Sequence, residues 1–438
     1  MKKNDYYSLR LPKTDKPRIV IIGGGFAGIE IAKTIKNQNA QLVLLDRHNY
    51  HTFIPLLYQV ATAGLEPDSI AEPLRKIIED HKDFYFRLAK VNMIVPEKNL
   101  LQTEIGELQY DYLVIATGSK TNYFGNEKMY NKAFPLKQIP QALDLRSHIL
   151  QNFEKAVLSN DNEEIKKLMN IVIVGGGATG VEMAGAFGEL KNHVLPKDYA
   201  ELDFSMMSIN LVEGLPQLLT GMSAHASRKA LKFIKKFGVN VHLNSKVESF
   251  DGENVIFNDG RQIKTGTFIW AAGVKGNVID GLKESSVEKS RVLVDNFNKV
   301  IGYDNIFAVG DLAQMKSKKY PYGHPMLAPV ALQQGKHLAK NLIRLFAGKE
   351  MIPFKYFDKG LMATIGRKKA VVDLPGGIKF SGFFAWIVWM FIHILYLVGF
   401  RNKMIVFSNW VWNYFTYDRG IRLIIRPFDI EKKTVEVD

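Results

Sequence analysis

The sequence predicts an α/β protein with two Rossmann-like dinucleotide-binding domains, antiparallel meander insertions, and a C-terminal helical membrane-anchoring region. Three observations predict it. The spacing Gly-x-Gly-x-x-Gly occurs twice, at Gly23, Gly25, Gly28 and at Gly175, Gly177, Gly180, each time between a β-branched apolar run and an apolar-periodic helix. Each half also holds an apolar strand that closes on Ala-x-Gly, at Ala116-Thr117-Gly118 and at Ala271-Ala272-Gly273. Finally, Phe383 to Phe400 is an uncharged aromatic and aliphatic stretch whose only strongly polar residue is His393.

The first fingerprint sits in Arg18 to Glu30, RIVIIGGGFAGIE. Its first glycine permits a tight turn, its second lets a pyrophosphate approach the backbone, and its third lets helix close on strand. The helix N-terminus then offers free N–H groups and the positive end of its dipole. A second strand, Gln41 to Leu45, ends in Asp46, 18 residues past Gly28, where a carboxylate would receive a ribose 2′-hydroxyl. The second fingerprint, NIVIVGGGATGVE, begins its glycines 152 residues later. Its acid, Glu213, follows Gly180 by 33 residues, the extra length being His193 to Phe204, read as a loop or helix extension. An acid there favours a free 2′-hydroxyl over a 2′-phosphate, hence NADH over NADPH.

Composition narrows the function classes. A chain of 438 residues is long enough for two or three domains with substantial cores. With no Cys, disulfides, thiolate metal sites, cysteine nucleophiles and dithiol redox centres are excluded. A net charge of +14 favours anionic partners such as phosphorylated cofactors or acidic lipid; no nucleic-acid motif accompanies it. The polar N-terminal 18 residues have no apolar run and read as a lead-in to the first strand. His48 and His51 lack metal-ligand spacing, so no metal is expected.

Between the fingerprints, Glu66 to Asp80 reads as a helix and Phe84 to Leu108 as a meander. Tyr110 to Ile115 reads as a buried strand, and Pro135 to Leu168 as mainly helical with a break at Ser159 to Asn162. Later come a basic amphipathic helix (His225 to Phe237) and a second meander through Val239–Leu243, Lys246–Phe250, Val255–Phe257 and Thr267–Trp270. A strand then ends in Gly310-Asp311, a helix from Leu327 to Ala347 carries Gln333 and Gln334, and Phe354 to Leu374 is β-rich.

With both fingerprints, both Ala-x-Gly strand ends and the late Gly-Asp, the chain resembles the two-dinucleotide flavoprotein reductases. Phe53 to Ala61 (FIPLLYQVA), Leu327 to Gly335 (LAPVALQQG) and the aromatic tail resemble type II NADH:quinone oxidoreductases along essentially the whole chain. The resemblance implies FAD at Gly23, Gly25, Gly28, Asp46, Thr117, Gly118 and Asp311, and NADH at Gly175, Gly177, Gly180, Glu213 and Gly273. It implies a FAD-binding domain in residues 1–140 and 286–375, an NADH-binding domain in 141–285 and the anchor in 376–438. Glu182 would lie near flavin, nicotinamide and quinone; by its residues alone it reads equally as an acid favouring the helix dipole. Tyr58, Gln59, Gln333, Gln334 and the tail aromatics would line the quinone route, with Glu182 and Gln333 catalytic. Where many members have an earlier Gln in the quinone segment, this chain has Pro329.

As one helix, Phe383 to Phe400 would measure roughly 27 Å, close to a bilayer core of about 30 Å. Basic residues flank it on both sides, so charge assigns no orientation. The next segment, Met404 to Tyr417, is amphipathic, with Asn409, Asn413 and Thr416 on one face and Phe407, Trp410, Val411, Tyr414 and Phe415 on the other. Arg419, Arg422 and Arg426 follow, suited to anionic lipid. We therefore expect residues 380–426 to lie in one leaflet, with a true span by 383–400 and a buried helical hairpin or dimer interface as the alternatives. The expected activity is non-proton-pumping electron transfer from NADH through FAD to a membrane quinone, at the cytoplasmic face of the inner (plasma) membrane, with a homodimer among the allowed assemblies. Two alternatives stand: a soluble-type NAD(P)H-dependent reductase of a small electron-carrier protein, and a membrane-bound nucleotide sensor without turnover.

Overall fold

The computed structural model describes residues 9–36, 38–79, 82–416 and 420–429; Arg419 and the first eight residues lie outside this set. Two units emerge, each discontinuous in sequence. The first comprises 1–51, 72–120 and 274–358, the second 52–71, 121–273 and 359–438. The tail expected to stand apart from residue 376 is thus grouped with the second fingerprint. The reason is packing: the aromatic helices fold against elements of that unit instead of standing free.

The first unit is built on a five-stranded parallel sheet in the order Ile306–Ala308, Tyr112–Ile115, Arg18–Ile22, Gln41–Asp46, Phe84–Leu88. The fingerprint strand is central, and its residues Ile19 to Ile21 are fully buried, as a strand covered on both faces requires. Phe84–Leu88 is an edge strand of this sheet, so the expected meander is shorter: Val91–Val95, Leu100–Thr103 and Gly106–Gln109, paired antiparallel. The helix Phe26–Thr34 packs on Ala328–Phe346, and Gly335 makes that possible. A Cβ there would come within 2.6 Å of the Ala27 carbonyl oxygen.

The second unit repeats the plan in the order Phe134–Pro135, Thr267–Trp270, Ile171–Val174, Ile209–Val212, Asn240–His242, again parallel. Its meander is Val247–Phe250, Asn254–Phe257, Gln262–Lys264. A further antiparallel sheet, Leu361–Thr364, Ala370–Asp373 and Lys379–Gly382, leads into the tail.

Three expectations are corrected. No single helix spans Glu66 to Asp80: a 3-10 turn (Pro67–Ile70), a strand (Ala71–Pro73) and a short helix (Leu74–Ile77) replace it. Pro73 has no N–H to donate in a helix interior and sets the break. The tail run is also not one 18-residue helix. Phe383–Tyr396 stops before Leu397, which is extended, and a second helix runs Phe400–Thr416. Fourteen residues reach only about 21 Å, and no described helix is long and apolar enough to cross a membrane.

The third correction concerns Trp410, expected on the apolar face with Phe407 and Val411. In Phe400–Thr416 the asparagine face points inward: Asn402 donates to Ala71 O (2.9 Å), Asn409 to Glu66 Oε2 (2.8 Å) and Asn413 to Gly64 O (3.4 Å). Trp410 is buried with them, not lipid-facing. Phe400, Met404, Phe407, Val411, Trp412 and Phe415 stand exposed instead. Arg422 and Arg426 turn to Asp198 (2.5 Å) and Asp144 (2.9 Å), ion pairs within the unit.

Candidate active site

Each unit carries a nucleotide cradle, and the two are built alike. At Gly25 and at Gly177 a Cβ would meet nothing within 4 Å, so space lies open beside the backbone. At Gly28 and Gly180 a Cβ would land on the carbonyl oxygen of Gly23 and of Gly175, so only glycine lets the helix close on its strand. Gly25 and Gly177 are the N-caps of their helices, without a capping side chain or an acid in the first turn. A helix N-terminus has no intrahelical partners for its first N–H groups and suits an anion, and both helices start at these glycines.

The acids act alike too. Asp46 accepts from Gly24 N–H (2.5 Å) and His48 N–H (2.7 Å). Glu213 accepts from Gly176 N–H (2.6 Å) and Leu215 N–H (2.8 Å). Each carboxylate oxygen thus braces a loop with one lone pair and keeps a second open to a further donor. Burial raises the Asp46 carboxyl above its usual range, opposed by those two N–H bonds. Behind the first loop His51 is buried with Nδ1 3.0 Å from Gly24 O; burial lowers it to about 4, so Nδ1–H donates from a neutral ring.

The rest of the first unit's set falls around this cradle or beside it. Gly23 lies against Ala116 and Thr117. Thr117 Oγ1 donates to Asn277 O (2.6 Å), and Gly118 O accepts from Asn277 N–H (3.0 Å). Asp311 accepts from Ser119 Oγ (2.6 Å). Gln334 is buried, accepts from Gly310 N–H (2.8 Å), and has no acceptor for Nε2 among the described residues. An orphaned buried donor and an open anion-binding loop fit a bound dinucleotide such as FAD. Gln333 holds the Phe357 backbone at both its N–H and C=O, each 2.9 Å.

The second unit holds the deepest chemistry. Tyr58, Gln59 and Glu182 meet in one cleft with Thr364, Trp386, Trp389, Met390, Trp410 and Tyr414. Its cavity volume is about 90 Å³, and it is partly open to solvent. Gln333 and Gln334 are not among its walls. Glu182 lies past the first turn of Ala178–His193, so the helix-dipole reading does not apply. Burial pushes its carboxyl up to about 8; Thr364 N–H, 3.4 Å from Oε1, and the Trp389 indole oppose this only in part. A buried neutral acid is thus a proton donor at pH 7. The Trp389 Nε1–H is also buried, near that carboxyl but out of bonding geometry, and has no partner among the described residues. Its ring is held by stacking on His393 (4.1 Å between centroids) and tilting against Trp410 (5.4 Å).

Trp410 fixes the cleft's other polar group. An indole can only donate, and Nε1–H reaches Gln59 Oε1 at 2.8 Å. The Gln59 amide therefore turns Nε2 to Tyr58 Oη, also at 2.8 Å. Sequence reading missed Thr62, Glu189, Thr364 and Arg367 in these walls. Only Glu189 carried a signal, since it follows Glu182 by seven residues on the same helix face.

Comparison with known proteins agrees with this architecture. Residues 17–335 match the family model for pyridine nucleotide-disulphide oxidoreductase, and 359–417 that for the NDH2 C-terminal domain. The chain is 35% identical over 422 residues to the type II NADH:quinone oxidoreductase Ndh of Mycobacterium tuberculosis, covering 92% of this chain and 89% of that one. It is 33% identical to NdhA of the same organism, over 92% and 88%. The fold matches that of NDH2 from Plasmodium falciparum in complex with NADH, with a TM-score of 0.86 at 23% identity, over 94% of this chain and all of that one. The chain belongs to the pyridine nucleotide-disulphide oxidoreductase family and, within it, to the type II NADH:quinone oxidoreductases.

Proposed function

We propose that this protein oxidises NADH and reduces a membrane quinone through FAD, without pumping protons, at the cytoplasmic face of the inner (plasma) membrane. The carrying observation is the aromatic cleft in which a proton-bearing Glu182 and an unpartnered Trp389 N–H come together. A quinone carbonyl oxygen can only accept; a protonated Glu182 offers it an O–H and the Trp389 indole an N–H. When bound, FAD supplies the two-electron relay, taking hydride from NADH and giving two electrons to the quinone. The first unit's cradle holds it through the Gly23–Gly28 loop, Asp46, Gly118 and Asp311. Gly175, Gly177, Gly180 and Gly273 hold NADH, and Glu213 takes its ribose hydroxyl and repels a 2′-phosphate.

Hydride carries two electrons and one proton, whereas quinol formation needs two electrons and two protons. Glu182 supplies the second proton and is reprotonated from solvent. Tyr58, held by Gln59, orients the ring, and the Trp side walls exclude water. The exposed apolar residues of the two tail helices, among them Phe384 at 78% and Phe415 at 76% exposure, enter lipid. Arg401, Lys403 and Lys379 beside them meet anionic headgroups. Pairing of two copies on the membrane is compatible with this reading.

Vesicle-bound protein given NADH and a soluble quinone analogue should consume NADH and form quinol in equal amounts. A flavin that bleaches anaerobically with NADH while quinone persists would instead mark a reductase of a small electron-carrier protein. A flavin that does not bleach would mark a nucleotide sensor.

A further inference from the structure

The cleft has a wall that its own unit must hold in place. Trp410, Asn413 and Tyr414 come from the last turns of Phe400–Thr416, whose outer face is apolar and exposed. The last four carbonyls of any helix lack partners within it and carry the negative end of its dipole. Here two of them are taken by one side chain. Arg367 Nη1 donates to Tyr414 O at 2.7 Å, and Nη2 donates to Asn413 O. The guanidinium also lies 5.9 Å from the Tyr414 ring centre, and Lys368 Nζ lies 4.7 Å from the same ring.

Arg367 is itself held from the other side. It occupies the tip of the hairpin between Leu361–Thr364 and Ala370–Asp373, where Gly366 (φ +70°) and Lys368 (φ +63°) make the turn. The backbone N–H of Arg367 donates to the buried carboxylate of Glu189. That tip touches the helix Ala178–His193 at backbone level: a Cβ on Gly185 would lie 3.0 Å from Gly366 N. Glu189 stands two turns after Glu182 on that helix. One residue therefore ties the helix that bears the cleft's acid to the helix that bears its opposite wall.

We propose that Arg367 is a positioning residue for the quinone: it sets the distance between the Trp410–Tyr414 wall and Glu182 by clamping the C-terminus of the tail helix. The proposal rests on the quinone reading of the cleft. It also gives Glu189 a role, as the anchor of the clamp and not a second proton donor. Lysine replaces the clamp only in part, because the three donors of an ammonium rotate and lack the fixed planar fork that a guanidinium presents to two adjacent carbonyls.

The test uses the full chain with bound flavin in vesicles, comparing Arg367→Gln and Arg367→Lys with the wild type. For Arg367→Gln we expect the KM for a soluble quinone analogue to rise about tenfold, the loss of charge-assisted bonds at the wall. Flavin reduction by NADH, followed by stopped flow, should keep its rate, and Arg367→Lys should recover part of the quinone KM. A quinone KM for Arg367→Gln within about twofold of wild type would overturn the clamp. So would an equal loss in flavin reduction accompanied by a lower melting temperature, since that pattern marks general loosening. Failure of the wild type to reduce any quinone would defeat the underlying reading, a different outcome from either.

Discussion

Replacing Glu182 by Gln should remove a pH-dependent strain from the folded protein. Gln keeps the size of the carboxyl and cannot ionise. In the wild type, burial raises the carboxyl from 4.5 to about 8. Between those values the folded chain keeps a proton that the unfolded chain has lost. Stability from this group is therefore complete below about pH 4.5, falls as pH rises through the window, and levels off above about 8. The span is roughly 3.5 units at about 1.36 kcal/mol each, or about 5 kcal/mol in full and about 3 kcal/mol by pH 7. Urea unfolding of both proteins at acid, neutral and alkaline pH measures it. Glu182→Gln should match the wild type near pH 5 and exceed it progressively toward pH 9. Parallel curves across that range would refute the reasoning, because Glu182 would then ionise as freely in the fold as outside it. The same titration should appear in catalysis, with wild-type quinone reduction declining above about pH 8 as the acid loses its proton.

Other perturbations separate fold from site. Gly177→Val places its side chain in open space, so melting should hold while the KM for NADH rises at least about tenfold. Gly180→Ala drives a methyl into the Gly175 carbonyl and should cost about 1–3 kcal/mol of stability, seen as a lower melting temperature. Trp410→Phe leaves Gln59 Oε1 without its donor; about 1–2 kcal/mol of stability should go, and the quinone KM should rise as the amide loses its fixed orientation. Ending the chain at Gly377 removes Trp386, Trp389 and Trp410 together, so sedimentation with vesicles and quinone reduction should disappear in the same protein.

The cradles were readable because their physics is local. Glycine spacing, a strand before and a helix after, and an acid at the next strand end are all matters of near neighbours along the chain, and Asp46 and Glu213 both sit where that logic puts them. The cleft was readable only in part. A glutamate on a helix looks the same in sequence whether it faces water or three tryptophans, so the titration of Glu182 needed its burial to be known. Helix periodicity separates two faces without saying which meets protein and which meets lipid; Trp410, grouped with Phe407 and Val411, is buried beside the asparagines for that reason. Arg367 looked like one basic residue in a run of three, since its partners are backbone carbonyls that no side-chain pattern records. Gly335 belonged to a motif read as part of a quinone segment, while its spatial task is helix–helix approach at Ala27.

The asparagine face of the second tail helix has a consequence for how the protein meets its surroundings. Asn402 and Asn413 hold backbone carbonyls with neutral amides, and Asn409 meets a single carboxylate. Such bonds are nearly indifferent to dissolved ions, whereas the attraction proposed between Lys379, Arg401 or Lys403 and acidic headgroups is screened beyond a Debye length of about 10 Å at 0.1 M salt. A high-salt wash can therefore loosen the chain's grip on the bilayer without undoing the helix's grip on the chain. Adhesion outward and adhesion inward answer to different solvents: salt for the first, chaotropes for the second.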